Sequence, residues 1–422
     1  MEKKYWQSFA ELNDTERMQK LTQDEFQEDL PFGEMDQGSL LDAKAPRRDF
    51  LKYLGFSTAA ATLASCKVPV RKAVPYVNRP ENVTPGVAKY YATTFVNDVD
   101  VLPVVAKVRE GRPIKIEGNN LCTYTNGGTS PRAQASVLDL YDTYRLTHPS
   151  QRAANGKFQE VPTYNQLDQL VSSALAGAPG AKVILTHTIV SPSTKQVIAD
   201  FIGRNPGSRH VQYDAVSYTG MLLANEASFG RRAIPSYRFD KAKVIVSLGA
   251  DFLGTWLNPV EFAYAYSIGR KIDERNPVMS KHYQFEPHLS MTGSNADERY
   301  SHRPSEVGSV AVALYAALGG QASVNIGDAK LAAGIKKAAA DLLAARGSAV
   351  VVCGSNDPNV QQVVNAINSG LGAYGSTIDW ASGINTKQGI DKDMVDLVAQ
   401  MNAGQVGALF IYGANPAYEY FD

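Results

Sequence analysis

From residue 163 onward the chain alternates between two hydrophobic periods, and this alternation restricts its fold more than any other feature. Apolar runs of strand length occupy residues 183–186, 210–213, 244–248, 349–353 and 408–412, with patterns of helical period filling most of the intervals. A strand that is apolar on both faces needs cover on both faces, and a helical connection supplies it. The series therefore predicts parallel βαβ units in an α/β domain with a doubly wound, mostly parallel sheet. Thr163 is placed to cap the first helix, whose stripe of Leu167, Leu170, Val171, Ala174 and Leu175 runs to Gly177.

Three of the runs end in related turns: Leu248-Gly249-Ala250-Asp251, Cys353-Gly354-Ser355-Asn356 and Tyr412-Gly413-Ala414-Asn415-Pro416. Glycine there permits a positive φ or the close approach of a ligand, and Asp or Asn suits the cap of the next helix. Turns of this kind sit at the carboxyl ends of strands, where nucleotide-like ligands bind, although any doubly wound domain also needs them to start its helices. Gly249, Asp251, Gly354, Asn356, Gly413 and Asn415 are thus the candidate pocket residues. The stretch "GADFLG" lacks the middle glycine of a dinucleotide fingerprint.

Upstream, residues 101–109 and 113–117 flank Glu110-Gly111 and read as a β-hairpin, and residues 133–144 carry a helical pattern. A chain of 422 residues has room for two or three units. Its 42 Lys+Arg balance 42 Asp+Glu, so no net field recruits nucleic acid. Three scattered cysteines, Cys66, Cys122 and Cys353, make neither a disulfide framework nor a cysteine cluster. The six histidines show no metal-binding spacing. His282 and His288 flank Glu286 in "HYQFEPH", which reads as a strand end and its loop rather than a metal or acid/base site, and Asp297, Glu298, Arg299 and Arg303 read as a solvated or interface network.

The first 66 residues have a different logic. Residues 1–46 hold eleven acids against five Lys/Arg, and Tyr5, Trp6, Phe9 and Leu12 share one helical face. Then "PRRDFLKYLGFSTAAATLASCK" sets Arg47, Arg48, Phe50 and Leu51 before an uncharged stretch ending at Cys66. R-R-x-F-L-K is the twin-arginine export form, and Leu63-Ala64-Ser65-Cys66 has the small residues of a lipobox, so Cys66 is the expected site of lipid attachment. No uncharged run is long enough to span a bilayer. The expected organisation is a leader over 1–66, a tether over 67–100, a hairpin subdomain over 101–150 and the α/β domain over 151–422, truncated at its C-terminal end.

"VAKVREGRPIKIEGNN" followed by "TNGGTSPRAQASVLDLYDTYRLTHP" resembles the start of the molybdopterin oxidoreductases, and "KAKVIVSLGADFL", "TGSNADERYSHRPSEVGSVAVAL", "VNAINSGLGAYGSTI" and "ALFIYGANPAY" resemble that family's dinucleotide-binding core. The ordered series covers nearly all of residues 101–422. Active members carry a C-x2-C-x3-C cluster ahead of the hairpin and a fourth cysteine beyond it. Here the first segment has no cysteine, and Ser130 stands at the fourth position, so the resemblance implies no iron–sulfur cluster. Where the family presents its Mo ligand, this chain offers Ser191 and Ser193, each also placed to cap a helix. His302-Arg303-Pro304-Ser305 replaces the family's irPG and loses its glycine.

The acidic preface, twin-arginine motif and A-S-C site narrow the resemblance to the variant Tat-exported members typified by the molybdopterin-like iron–sulfur subunit of bacterial alternative complex III. That resemblance implies a non-catalytic segment of a quinol-oxidising respiratory complex, passing electrons to cytochrome c or a terminal oxidase. It further implies a lipid-anchored position on the periplasmic side of the cytoplasmic membrane. No cofactor is expected in this segment; iron–sulfur clusters belong to residues beyond Asp422 or to partners, among them a multihaem cytochrome c and an integral-membrane quinol-binding subunit. Two alternatives stand beside it: an active molybdopterin enzyme using Ser191 or Ser193, and a lipid-anchored solute-binding protein.

Overall fold

Two adjacent residues of positive φ, Glu110 (50°) and Gly111 (79°), close the hairpin between β2 (Val101–Arg109) and β3 (Arg112–Gly118). Left-handed conformations at both positions give a turn whose twist matches the flanking strands. The computed structural model describes residues 83–421 apart from 85, 98–99 and 273–276; Arg47, Arg48, Phe50, Leu51 and Cys66 lie outside the described residues.

The stretch read as a tether over 67–100 contains β1 (Lys89–Val96), which pairs antiparallel with β2 and completes a three-stranded sheet. Its Tyr and Thr residues are strand formers, and the neighbouring strand β2, reached by a short turn, decides their state. Leu102, Val104, Ile116 and Ala133 form the small core beneath. The helix expected over 133–144 is also shorter. α1 (Pro131–Ala135) passes into a 3-10 turn over Ser136–Leu140, where the Ser136 hydroxyl donates to the Ala133 carbonyl at 2.7 Å and competes with the helical ladder. β4 (Ser150–Arg152) and β5 (Phe158–Glu160) form a separate small hairpin.

α2 (Tyr164–Gly177) begins at the expected cap, with the Gln166 N–H donating to Thr163 Oγ1 at 3.3 Å. β6 (Ala181–Thr186), α3 (Pro192–Arg204), β7 (Arg209–Gln212) and α4 (Thr219–Phe229) follow in βαβα order. Next come β8 (Ile234–Tyr237), β9 (Val244–Leu248), α5 (Pro259–Arg270), β10 (Lys281–Glu286), α6 (Met291–Ser294) and β11 (Glu298–Ser301). The chain ends through α7 (Val307–Ala317), α8 (Ala329–Ala344), β12 (Ala349–Cys353), α9 (Pro358–Leu371), β13 (Ile378–Ile384), α10 (Asp391–Asn402), β14 (Val406–Tyr412) and α11 (Pro416–Glu419).

The α/β expectation holds in class, but the single doubly wound sheet does not. Two separate parallel sheets form, in the orders β11-β10-β9-β12 and β14-β6-β7, and an antiparallel pair joins β8 with β13. Apolar runs mark strands without saying which of them pair. Each sheet has its own cores: α7, α8 and α9 cover one face of the four-stranded sheet, while α10 and α3 cover opposite faces of the three-stranded one. The buried Asp214 carboxylate lies past the end of β7 and accepts from the N–H and hydroxyl of Thr188 and from the N–H groups of Gln388 and Gly389. Four donors on one carboxylate fix the loop entering α10 to the ends of β6 and β7. Among the described residues no helix is long and apolar enough to cross a membrane.

Candidate functional site

Gly249 and Gly354 touch at the carboxyl ends of β9 and β12. The Gly249 N–H donates to Phe285 O at 2.8 Å, the Gly354 N–H donates to Leu248 O at 3.0 Å, and a Cβ on Gly354 would lie 2.3 Å from Gly249 O. Gly249 has φ of 70°, so one glycine is needed for its backbone and the other for its neighbour. With Ser217, Tyr218, Trp256, Glu286 and His288 they line a cavity of about 380 Å³.

The acid and amide of these turns do not cap the helices that follow them. Asp251 accepts from the N–H of Thr292 at 3.0 Å and its hydroxyl at 2.7 Å, pinning α6 to the turn. Asn356 accepts from the Gly220 N–H at 2.8 Å and donates to Ser217 Oγ at 3.0 Å, bridging to the start of α4. Helix α9 is capped instead by Asp357, one residue later, through the Asn359 N–H at 2.8 Å. Adjacent Asn and Asp at a strand end leave the cap ambiguous in sequence.

Gly413 belongs elsewhere. It ends β14 in the other parallel sheet with φ of 68°, and a Cβ on it would lie 2.3 Å from His187 Nδ1 and 2.4 Å from Cε1. The Asn415 side chain makes no cap bond to α11. The structure thus brings two of the three turns together and sets the third against an imidazole.

Ser130 is buried and fully engaged. Its hydroxyl donates to Asp100 Oδ2 at 2.6 Å and accepts from the Ala133 N–H at 3.1 Å, while Arg132 forks onto the same carboxylate at 2.9 and 3.1 Å. Ser130 and Arg132 also line a groove of about 690 Å³ between the 125–132 loop and α5. Ser191 caps α3 through the Thr194 N–H at 3.3 Å, and Ser193 is exposed in that helix's first turn. At Cys122 burial acts to raise the thiol, but hydrogen bonds from Thr125 and Tyr124 outweigh it and hold the group below the ordinary thiol value. Cys353 is buried in β12, and burial pushes its thiol up to about 12. Among the described residues no group of three or more His, Cys, Asp or Glu is arranged to hold a metal ion.

One buried constellation was hidden by its setting in a strand. His282, Gln284 and Glu286 alternate along β10 and face one side of it, all buried. Gln284 Nε2 donates to Glu286 Oε2 at 2.9 Å, which leaves its Oε1 to accept from His282 Nε2 at 3.2 Å. The neutral ring then turns Nδ1 towards the Tyr266 hydroxyl at 3.2 Å, whose single proton also has the Asn295 carbonyl as an acceptor at 3.0 Å. Glu286 also takes the Arg299 Nε at 2.6 Å and the Ser290 hydroxyl at 2.6 Å.

Burial lowers His282 to about 4. Burial alone would raise Glu286, but Arg299, Ser290 and Gln284 more than offset it and keep the carboxyl below its ordinary value. His288, exposed on the following loop, is no part of the row. The expected network of Asp297, Glu298, Arg299 and Arg303 separates likewise: Asp297 takes Arg270, Glu298 takes Lys281 and Lys337, Arg299 takes Glu286, and the Arg303 N–H takes Glu306. The period-two spacing H-x-Q-x-E was the available signal.

No family model matches the chain. Over 281 residues it is 21% identical to the menaquinone reductase molybdopterin-binding-like subunit of Nitratidesulfovibrio vulgaris, a match covering 64% of this chain and 39% of that protein. The chain therefore spans well under half the length of that relative. Among solved structures, the formyltransferase/hydrolase complex of Methylorubrum extorquens, bound to methylofuran, superposes with a TM-score of 0.42 and 14% identity, covering 64% of this chain and 78% of that one. An overlap so slight carries no argument about fold. The chain is a mixed α/β protein with parallel sheets, and over part of its length its sequence is similar to a molybdopterin-binding-like subunit.

Proposed function

We propose that this chain is a non-catalytic, scaffold-like segment of a quinone-linked respiratory electron-transfer complex of the alternative complex III kind, built on a molybdopterin-oxidoreductase-like fold. The observation that carries the reading is the similarity to a molybdopterin-binding-like subunit of menaquinone reductase, combined with side chains committed to structure where that family does chemistry.

The residues do not fit an iron–sulfur cluster. Ser130 is spent on a helix cap and a buried carboxylate, and Cys122 has no second cysteine beside it among the described residues. Nor do they fit a pterin dinucleotide laid across three glycine turns. Two of the turns share a cavity of about 380 Å³, while the third lies in the other parallel sheet, packed against the His187 imidazole. Ser191, the candidate Mo ligand, accepts the capping bond of α3. No reaction step is assigned to this chain. Its role is to position partners that carry clusters and haem, after export through the Tat signal at Arg47-Arg48 and with the complex held at the periplasmic face by lipid on Cys66.

The test is isolation of the chain by affinity tag from its native host, in mild detergent, followed by native mass and quinol-oxidation assays. Recovery within a quinol-oxidising assembly containing a cytochrome c subunit is expected. Recovery of the chain alone, as a monomer without quinol activity, overturns the reading.

A further inference from the structure

Residues directly opposite each other in an antiparallel pair share one side of the sheet, so the register of β1, β2 and β3 fixes what each face carries. Leu102, Val104 and Ile116 turn to the core. The rows Tyr90–Lys107–Lys115, Ala92–Val105–Glu117, Thr94–Pro103 and Val96–Val101 make the opposite, outer face. None of these residues enters a core cluster, and Tyr90 and Val96 are 56% and 42% exposed.

The outer face is divided along its length. Ala92, Val96, Val101, Pro103 and Val105 make one end aliphatic. The other end is basic: Lys107 stands opposite Lys115 in one row, and Arg109 opposite Arg112 in the next. Tyr90 joins the two ends, with the Lys107 ammonium 5.7 Å from its ring centroid. Lys115 meets Glu117 at 3.1 Å, and Arg109 donates to the Gly86 carbonyl. Among the described residues, Lys107, Arg109 and Arg112 have no carboxylate at ion-pair distance. Glu110, in the turn, accepts from the Gly86 N–H at 3.2 Å. The chain as a whole has no net charge, so this cluster of cations is a local departure from its balance.

We propose that the outer face of the β1-β2-β3 sheet lies against an anionic lipid surface. Headgroup phosphates accept from Lys107, Arg109 and Arg112, while Tyr90 and the short aliphatic side chains enter the boundary between headgroups and acyl chains. Charge complementarity accounts for the basic end. The aliphatic end, left uncovered by every core of the protein, distinguishes this face from one built for ionic contact alone. That a bilayer is the surface at hand rests on the reading of Cys66 as lipid-bearing, β1 being the first element described after it; the composition of the face does not.

The experiment sediments the full chain as Cys66→Ser, so that no acyl chain contributes, with vesicles of phosphatidylcholine and phosphatidylglycerol in equal parts and with vesicles of phosphatidylcholine alone. Partition is expected to be at least about tenfold higher on the anionic vesicles and to fall as salt is raised. Lys107→Gln, Arg109→Gln and Arg112→Gln are each expected to lower it about fivefold without moving the thermal midpoint. Val96→Ser is expected to weaken it while leaving its salt dependence unchanged. Failure to bind either vesicle overturns the inference and leaves the subunit reading standing, and so does equal binding to both. Binding that the three glutamine variants do not weaken places the contact elsewhere on the chain and also overturns it. Slowed amide exchange of β1 and β2 in the lipid-free assembly overturns it in favour of a partner subunit. A chain that binds anionic vesicles through this face but isolates without quinol-oxidising partners overturns the subunit reading alone.

Discussion

His282 is a titratable group held where a charge is costly. Its ring is fully buried, donates to Gln284 and faces Phe252 at 5.4 Å, and burial lowers its pKa from 6.5 to about 4. A base whose folded pKa lies below its unfolded one stabilises the fold in its neutral form. That contribution is whole above about pH 6.5 and is lost as pH falls towards 4, by roughly 3 kcal/mol for a shift of this size. Denaturation midpoints measured between pH 7 and 4 should fall accordingly, and the ring should titrate near pH 4 by NMR; titration near 6.5 would contradict its burial. The glycines offer a second residue-level test. Gly249→Ala meets open space and costs only its positive φ, about 1 kcal/mol, whereas Gly413→Ala adds a clash with His187 and should cost about 2–3 kcal/mol in thermal or urea unfolding.

At the scale of elements, β10 shows why part of the candidate site escaped the sequence. A central strand is expected to be apolar throughout, and K-H-Y-Q-F-E is not. Its polar positions alternate with Tyr283 and Phe285, so one face feeds the core while the other builds the row from His282 to Glu286. β9, β12 and the cap at Thr163 were legible because local chemistry decides them. β8 depends on a partner far along the chain, β1 on the hairpin strand that follows it, and the pairing of strands into two sheets left no local mark. The row also makes an element-level prediction. Arg299→Ala leaves the Glu286 carboxylate buried without its countercharge and should cost about 2–4 kcal/mol, more than any change at the exposed pair Lys392–Asp396. Paired with Glu286→Gln in a double-mutant cycle, it should recover part of that loss; no recovery would show that the two groups are not coupled.

Across the whole molecule, Gly249, Gly354 and Gly413 were each visible as turns, but only the folded chain could show that the third belongs to a separate sheet and faces His187. Ser130 and Ser191 tell the same story from the other side: both are hydroxyls at positions of interest, and both are consumed by helix caps. A chain arranged in this way holds the loop entering α10 through Asp214 and the start of α4 through Asn356. The most direct measurement is the molybdenum content of the assembly isolated through this chain, by elemental analysis alongside extraction of pterin. The account predicts molybdenum and pterin far below one per chain while quinol oxidation is intact. Stoichiometric molybdenum with extractable pterin would contradict it.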